Sequence, residues 1–204
     1  MKRNALLFAI TLCITPMLAG ATDGAHFKSA KSSTVKLEST QVLIKGTSSL
    51  HEWQMEGSTI NGSITTDPAT WKTAGGSSAN VSISIPVASI KSESSRMDRI
   101  MRNSLKADRN PDITYQLTSA SLGKSTGESF IVHTNGKLTI AGATRDLAMD
   151  VTTTRINDKR YILAAEVPIR MTDYGFKPPV AMLGTLKTGN DAKISFRWVV
   201  EQVQ

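Results

Sequence analysis

The sequence predicts an all-β chain with one short helix, laid out as an antiparallel sheet long enough to curl around an interior. The first observation is strict alternation. Ile194, Phe196, Trp198 and Val200 alternate with Lys193, Ser195, Arg197 and Glu201, giving a strand with one dry face and one wet face. The same period returns at Val81 to Val87, at Ile113, Tyr115 and Leu117, at Leu147, Met149 and Val151, and from Tyr161 to Met171. The second observation is that helical spacing occurs in one place, where Met97, Ile100, Met101 and Leu105 fall on one face. The third is that turn residues punctuate the rest, so that strands follow one another as hairpins. An open sheet of that many strands curls or closes, which makes the interior the question on which function turns.

Taken in order, Lys2 and Arg3, the apolar run Ala5 to Leu18 and the small residues Ala19-Gly20-Ala21 read as a cleavable signal peptide over residues 1–21. The single cysteine, Cys13, lies inside it. The exported chain is therefore expected to lack thiol chemistry and to reach the periplasm or the medium. Residues 22–33 are small and polar and read as a flexible leader, with His26 inside it. One domain is expected over 34–203.

A first strand is expected through Val35 to Lys45, with a phase slip suggesting a bulge near Ser39 to Gln41. Ser49 to Ile64 continues the extended chain, and Asp67-Pro68 and Gly75-Gly76 mark loops. Ser95 is a candidate helix cap, with Asp98 three residues on. Asn110-Pro111 restarts extended chain. Turns are expected at Gly123 to Gly127, Asn135-Gly136, Ala141-Gly142, Asn157-Asp158 and Gly189-Asn190.

The net charge of +7 makes the protein basic, but lysines and arginines are interspersed with acids rather than clustered. That is a solubility pattern. No alternation of aromatic and basic residues points to nucleic acid. Catalysis finds no support either: the histidines His26, His51 and His133 have no metal-ligand spacing, and no nucleophile elbow, phosphate loop or dinucleotide fingerprint is present. No cofactor is required by any motif. A transmembrane barrel is opposed by missing aromatic girdles and by a C-terminus of Glu201-Gln202-Val203-Gln204.

Three words in the sequence carry a resemblance. They are Leu105 to Tyr115 (LKADRNPDITY), Gly136 to Arg145 (GKLTIAGATR) and Thr172 to Phe176 (TDYGF). Together these resemble the YceI-like family of exported lipocalin-like proteins, often described as polyisoprenoid-binding, over about Thr34 to Val203. The resemblance implies a lipocalin-like antiparallel β-barrel of about eight strands, capped by a helix, with an apolar cavity for a long lipid tail; the expected ligand is an amphiphilic polyisoprenoid such as a quinone or a prenyl diphosphate. Two segments, Gly46 to Trp53 and Lys177 to Gly184, look like features of a subgroup.

The residues suggest a ligand set on their own terms. His51, Trp53 and Met55 share one side of a strand whose other side is acidic. An inward His51 either contacts a ligand head group or is satisfied by backbone carbonyls near the barrel end. Trp53 is either core or a ligand platform. Methionines suit a pocket for a long, kinked chain, as they suit ordinary cores. The expected lining is Leu50, Trp53, Met55, Met97, Ile100, Met101, Tyr115, Leu117, Leu138, Ile140, Met149 and Phe176, with His51 as head-group contact. The helix is placed across the mouth, with Arg96, Arg99 and Arg102 either near an anionic head group or simply forming a solvated outer face. The alternative is a non-catalytic envelope or stress-related barrel that acts through a protein partner at the late loop Tyr174 to Leu183 and holds no lipid.

Overall fold

The C-terminal alternation forms the backbone of the molecule. In the computed structural model, which describes residues 24–30, 39–66, 79–181 and 185–203, Leu186–Val203 is a single strand of 18 residues. Ten further strands precede it. They are β1 (Ala25–Ser29), β2 (Gln41–Ser48), β3 (Glu52–Gly57), β4 (Asn61–Thr66), β5 (Asn80–Pro86), β6 (Asp112–Thr126), β7 (Ser129–Ile140), β8 (Ala143–Arg155), β9 (Arg160–Arg170) and β10 (Val180–Ala181), which makes the long strand β11. The helix α1 (Ser95–Ser104) lies between β5 and β6. The neighbours run β1-β4-β5-β6-β7-β8-β9-β11, and β11 pairs back onto β1, so eight strands close an antiparallel barrel.

The long β11 serves two partners on one side. Its outer part, Val200 to Val203, pairs with β1, and its inner part, Thr188 to Arg197, pairs with β2. Val199 marks the seam: its carbonyl accepts from the Ala30 amide and its amide donates to Thr40 Oγ1. Trp198, fully buried beside the seam, donates from Nε1 to Ser29 Oγ at 2.9 Å, and Ser29 Oγ donates to the Ile60 carbonyl at 2.6 Å. One indole therefore fastens β1 and the start of β4 to β11. The alternation behaves as written, because Ile194, Trp198 and Val200 are buried and Phe196 packs against the same core.

Several local expectations are corrected. The 22–33 leader contains β1, including His26, whose Nδ1 meets Thr65 Oγ1. Five residues with one large apolar side chain, Phe27, are too short for periodicity to register. Residues 1–23 and 31–38 lie outside the described residues, as do the signal peptide and the start of the Val35 strand; β2 begins at Gln41. Asn135-Gly136 is mid-strand, not a turn, because Gly136 faces inward beneath the Tyr115 ring, where a Cβ would strike Tyr115 Cζ and Oη. Gly123 likewise sits in β6 under the His133 imidazole, with the turn at Gly127. Gly189-Asn190 is an irregularity within β11, with Asn190 Nδ2 donating to Thr172 Oγ1. The Ala141-Gly142 turn forms with both residues at positive φ.

The helix cap is Ser94 rather than Ser95, its hydroxyl accepting from the Met97 amide. Asp98 instead reaches back out of the helix. Its carboxylate accepts from both the amide and the hydroxyl of Ser92, each at 2.7 Å, and bracing that turn holds it below the usual carboxylate range, with Lys91 and Arg102 assisting and burial opposing. A lowered native pKa means that Asp98 contributes stability above the ordinary value of 3.8 and loses it as pH falls through the native value. Denaturant titrations should therefore find Asp98→Asn weaker than wild type by about 2 kcal/mol at pH 7, with the gap closing below that range. A gap constant down to pH 2 contradicts the assignment.

Candidate functional site: a cavity open at one barrel end

The barrel holds a cavity of about 610 Å³ that reaches the surface at one end. Its rim is formed by the β6–β7 turn at Gly127-Glu128, by Arg155 at the end of β8, by Thr66 at the end of β4 and by Gln202 near the end of β11. Arg155 Nε donates to Glu128 Oε2 at 2.9 Å, and the Arg155 amide donates to the Glu128 carbonyl, so the rim carries a fixed ion pair. Below the rim the walls are apolar. Phe27 and Tyr161 meet edge to face at 5.7 Å, and Ile64, Val132, Val151 and Leu163 continue the surface inward.

The floor is a ring of four side chains from four strands: Ile83, Tyr115, Met149 and Phe196. Beneath it lies a second void of about 60 Å³, lined entirely by apolar side chains apart from Tyr115 itself and including Ile44, Leu138 and Val167. The same four residues border both spaces. Burial pushes the Tyr115 phenol above its ordinary value, opposed by the neighbouring Thr134 hydroxyl.

Of the residues expected to line a pocket, Tyr115, Leu117 and Met149 meet at the cavity, and Leu138 lies below its floor. The structure does not bring the others to it. Met55 and Ile140 belong to the solid core. Trp53, Met97, Met101 and Phe176 are half-buried against that core, and Ile100 is half-buried on α1. Trp53 covers Gly46, which has no Cβ to obstruct the indole, and donates from Nε1 to the Thr47 carbonyl.

Leu50 is 71 % exposed, and His51 is exposed with Nδ1 at 2.6 Å from the Glu52 carbonyl. The physical reason is that the β2–β3 turn sits beside the start of β11, at the end away from Gln202 and the rim. The helix is also at that far end: it feeds into the start of β6, whereas Gly127 follows the end of β6. It does not cross the mouth, and Arg96, Arg99 and Arg102 do not face the rim. In the late loop Tyr174 is buried and Phe176 half-buried, while Val180 is 62 % exposed; residues 182–184 lie outside the described residues.

The most informative lining residues missed in the sequence are Phe27, Ala120, Phe130, Trp198 and the rim pair. Trp198 was legible as inward-facing, whereas Ala120 was hidden by a register shift between Leu117 and Ser119 that changes the parity of the inward face. Among the described residues, no group of three or more His, Cys, Asp or Glu is placed to hold a metal ion, and no helix is long and apolar enough to cross a membrane.

The family model for the YceI-like domain matches residues 28–200. The chain belongs to the YceI-like family. This YceI-like barrel resembles the structure of a polyisoprenoid binding domain from Saccharophagus degradans implicated in plant cell wall breakdown, with a TM-score of 0.65 and 13% identity over 88% of this chain and 99% of that one. It also resembles Burkholderia cenocepacia BcnA, with a TM-score of 0.60 and 17% identity over 78% of this chain and 95% of that one. The Campylobacter jejuni YCEI protein gives a TM-score of 0.55 and 19% identity over 74% and 84% of the two chains. At these identities the likeness establishes the fold. No curated protein matches the chain.

Proposed function

We propose that this YceI-like barrel is a non-catalytic carrier that sequesters an amphiphilic lipid, of the polyisoprenoid class, in the periplasm or outside the cell. The observation that carries the reading is the cavity: apolar walls, one opening and a polar rim. Its volume of about 610 Å³ falls in the range of small-molecule sites. Removing an apolar tail from water at roughly 25 cal/mol per Å² provides the driving force, and the exposed Glu128–Arg155 pair keeps the mouth polar and solvated. The Saccharophagus degradans neighbour, described as polyisoprenoid-binding, supports the ligand class. The signal-like residues 1–21 support the compartment. No site cofactor is invoked.

Ala120 provides the test, since its side chain faces the open cavity. Ala120→Phe fills that space without displacing packed neighbours, so its unfolding midpoint should stay near wild type. Its retention of a prenyl quinone through gel filtration should fall by at least about tenfold, corresponding to about 1.4 kcal/mol. Undiminished retention in a folded Ala120→Phe protein places the ligand elsewhere.

A further inference from the structure

Tyr115 is 6 % exposed, and among the described residues its hydroxyl, with Thr134 as its polar neighbour, makes no hydrogen bond of acceptable geometry. The neighbouring Thr134 hydroxyl gives its proton to the Met149 carbonyl at 2.9 Å. A buried hydroxyl without a partner is uncommon and calls for a reason. Its surroundings supply one. Tyr115 belongs to the four-membered floor between the open cavity and the dry void, and the other three members, Ile83, Met149 and Phe196, have no hydroxyl or amide on their side chains. Of the other polar side chains lining the cavity, Thr134 and Trp198 already donate, to the Met149 carbonyl and to Ser29 Oγ, while Thr66, Thr153, Tyr161, Gln202 and the Glu128–Arg155 pair lie toward strand ends and the turn at the mouth. Among the described residues, the deepest donor not already committed is therefore the phenol.

The ring lies over Gly136, where a Cβ would collide with it, so the glycine is what lets the phenol lie against the wall. Rotation about the Tyr115 Cα–Cβ bond toward the barrel axis carries Oη from the wall to an occupant of the cavity. Met149, an unbranched thioether in the same ring, is the neighbour best able to give way.

We propose that Tyr115 is a ligand-selecting residue: its hydroxyl donates to an oxygen on the deeply inserted end of the ligand, so the barrel favours a polyisoprenoid carrying a carbonyl or hydroxyl oxygen at that end over a bare hydrocarbon. This rests on the carrier reading and adds an orientation to it, with an oxygenated end at the floor and the remaining chain toward the rim. No covalent step is involved.

The experiment compares a prenyl quinone with squalene, a polyisoprenoid hydrocarbon without oxygen, by equilibrium binding to wild type and to Tyr115→Phe. Wild type should prefer the quinone. Tyr115→Phe should lose about three- to tenfold in quinone affinity, the worth of one hydrogen bond, and keep its squalene affinity. Its ligand-free unfolding midpoint should be unchanged or higher, since the folded protein loses no hydrogen bond. Equal losses for both ligands, or no loss for the quinone, overturn the role of the hydroxyl and leave the carrier reading standing. A lowered ligand-free midpoint shows that the hydroxyl is satisfied within the protein and also overturns it. Wild type that binds neither ligand defeats the carrier reading, and this inference with it.

Discussion

Trp198→Ala is expected to destabilise the protein by about 3–5 kcal/mol, the usual cost of deleting a buried aromatic, and to abolish lipid retention. Two losses combine. The indole is fully buried against β4, where Gly62 lies so close that a Cβ would stand 3.0 Å from the ring and 2.6 Å from the Ser82 carbonyl. Removing it leaves a hole that neighbouring backbone cannot close. The indole also supplies the hydrogen bond to Ser29 Oγ, which in turn bonds the Ile60 carbonyl. Without that link, β1 is held by short ladders to β4 and β11, each of four residue pairs. Because Ala25 and Phe27 of β1 line the cavity, loosening β1 opens a slot in its wall. Urea denaturation measures the first effect. Amide hydrogen exchange at residues 25–29 separates the second, and exchange there as slow as in wild type contradicts the fastening role.

Gly136→Ala is expected to have the next largest effect, about 2–3 kcal/mol in stability together with loss of cavity depth. A Cβ at this position meets Tyr115 Cζ and Oη, and it stands 2.6 Å from the Gln116 carbonyl oxygen. A side chain can move aside, but the backbone carbonyl of the adjacent strand is fixed by the β6–β7 ladder, in which Gly136 pairs with Leu117 and Tyr115 with Leu138. The ring must swing into the cavity and the strands must separate slightly. Tyr115→Ala in the Gly136→Ala background relieves the first clash and leaves the second. The double variant should therefore recover cavity access without full stability. Wild-type stability in Gly136→Ala shows that the ring is not held against the glycine.

The fold was legible because burial and alternation obey one rule in long strands. Ile194, Trp198 and Val200 could be assigned to the interior from the sequence, and so could Val151 and Leu163. The site was less legible. Inward orientation says nothing about depth: Ile140 and Met55 point inward and end in solid core, whereas Val151 and Leu163 point inward and end at open space. Which end of the barrel opens depends on where α1 and the hairpins stack, a long-range property that spacing does not carry. Met97 and Met101 look alike as pocket residues or as packing, and proved to be packing at the far end. Gly136 shows a different failure. Asn-Gly is a strong turn signal, but here the missing Cβ serves the close approach of an aromatic ring within a strand.

On the proposed reading the cavity holds a lipid. The most direct test of that reading is native mass spectrometry of the exported protein purified without detergent, followed by organic extraction and mass analysis of what is released. We predict a stoichiometric adduct whose extracted component is an oxygenated polyisoprenoid, and its disappearance in Ala120→Phe. Protein that arrives bare, and stays bare after incubation with prenyl quinones and prenyl phosphates, contradicts the account.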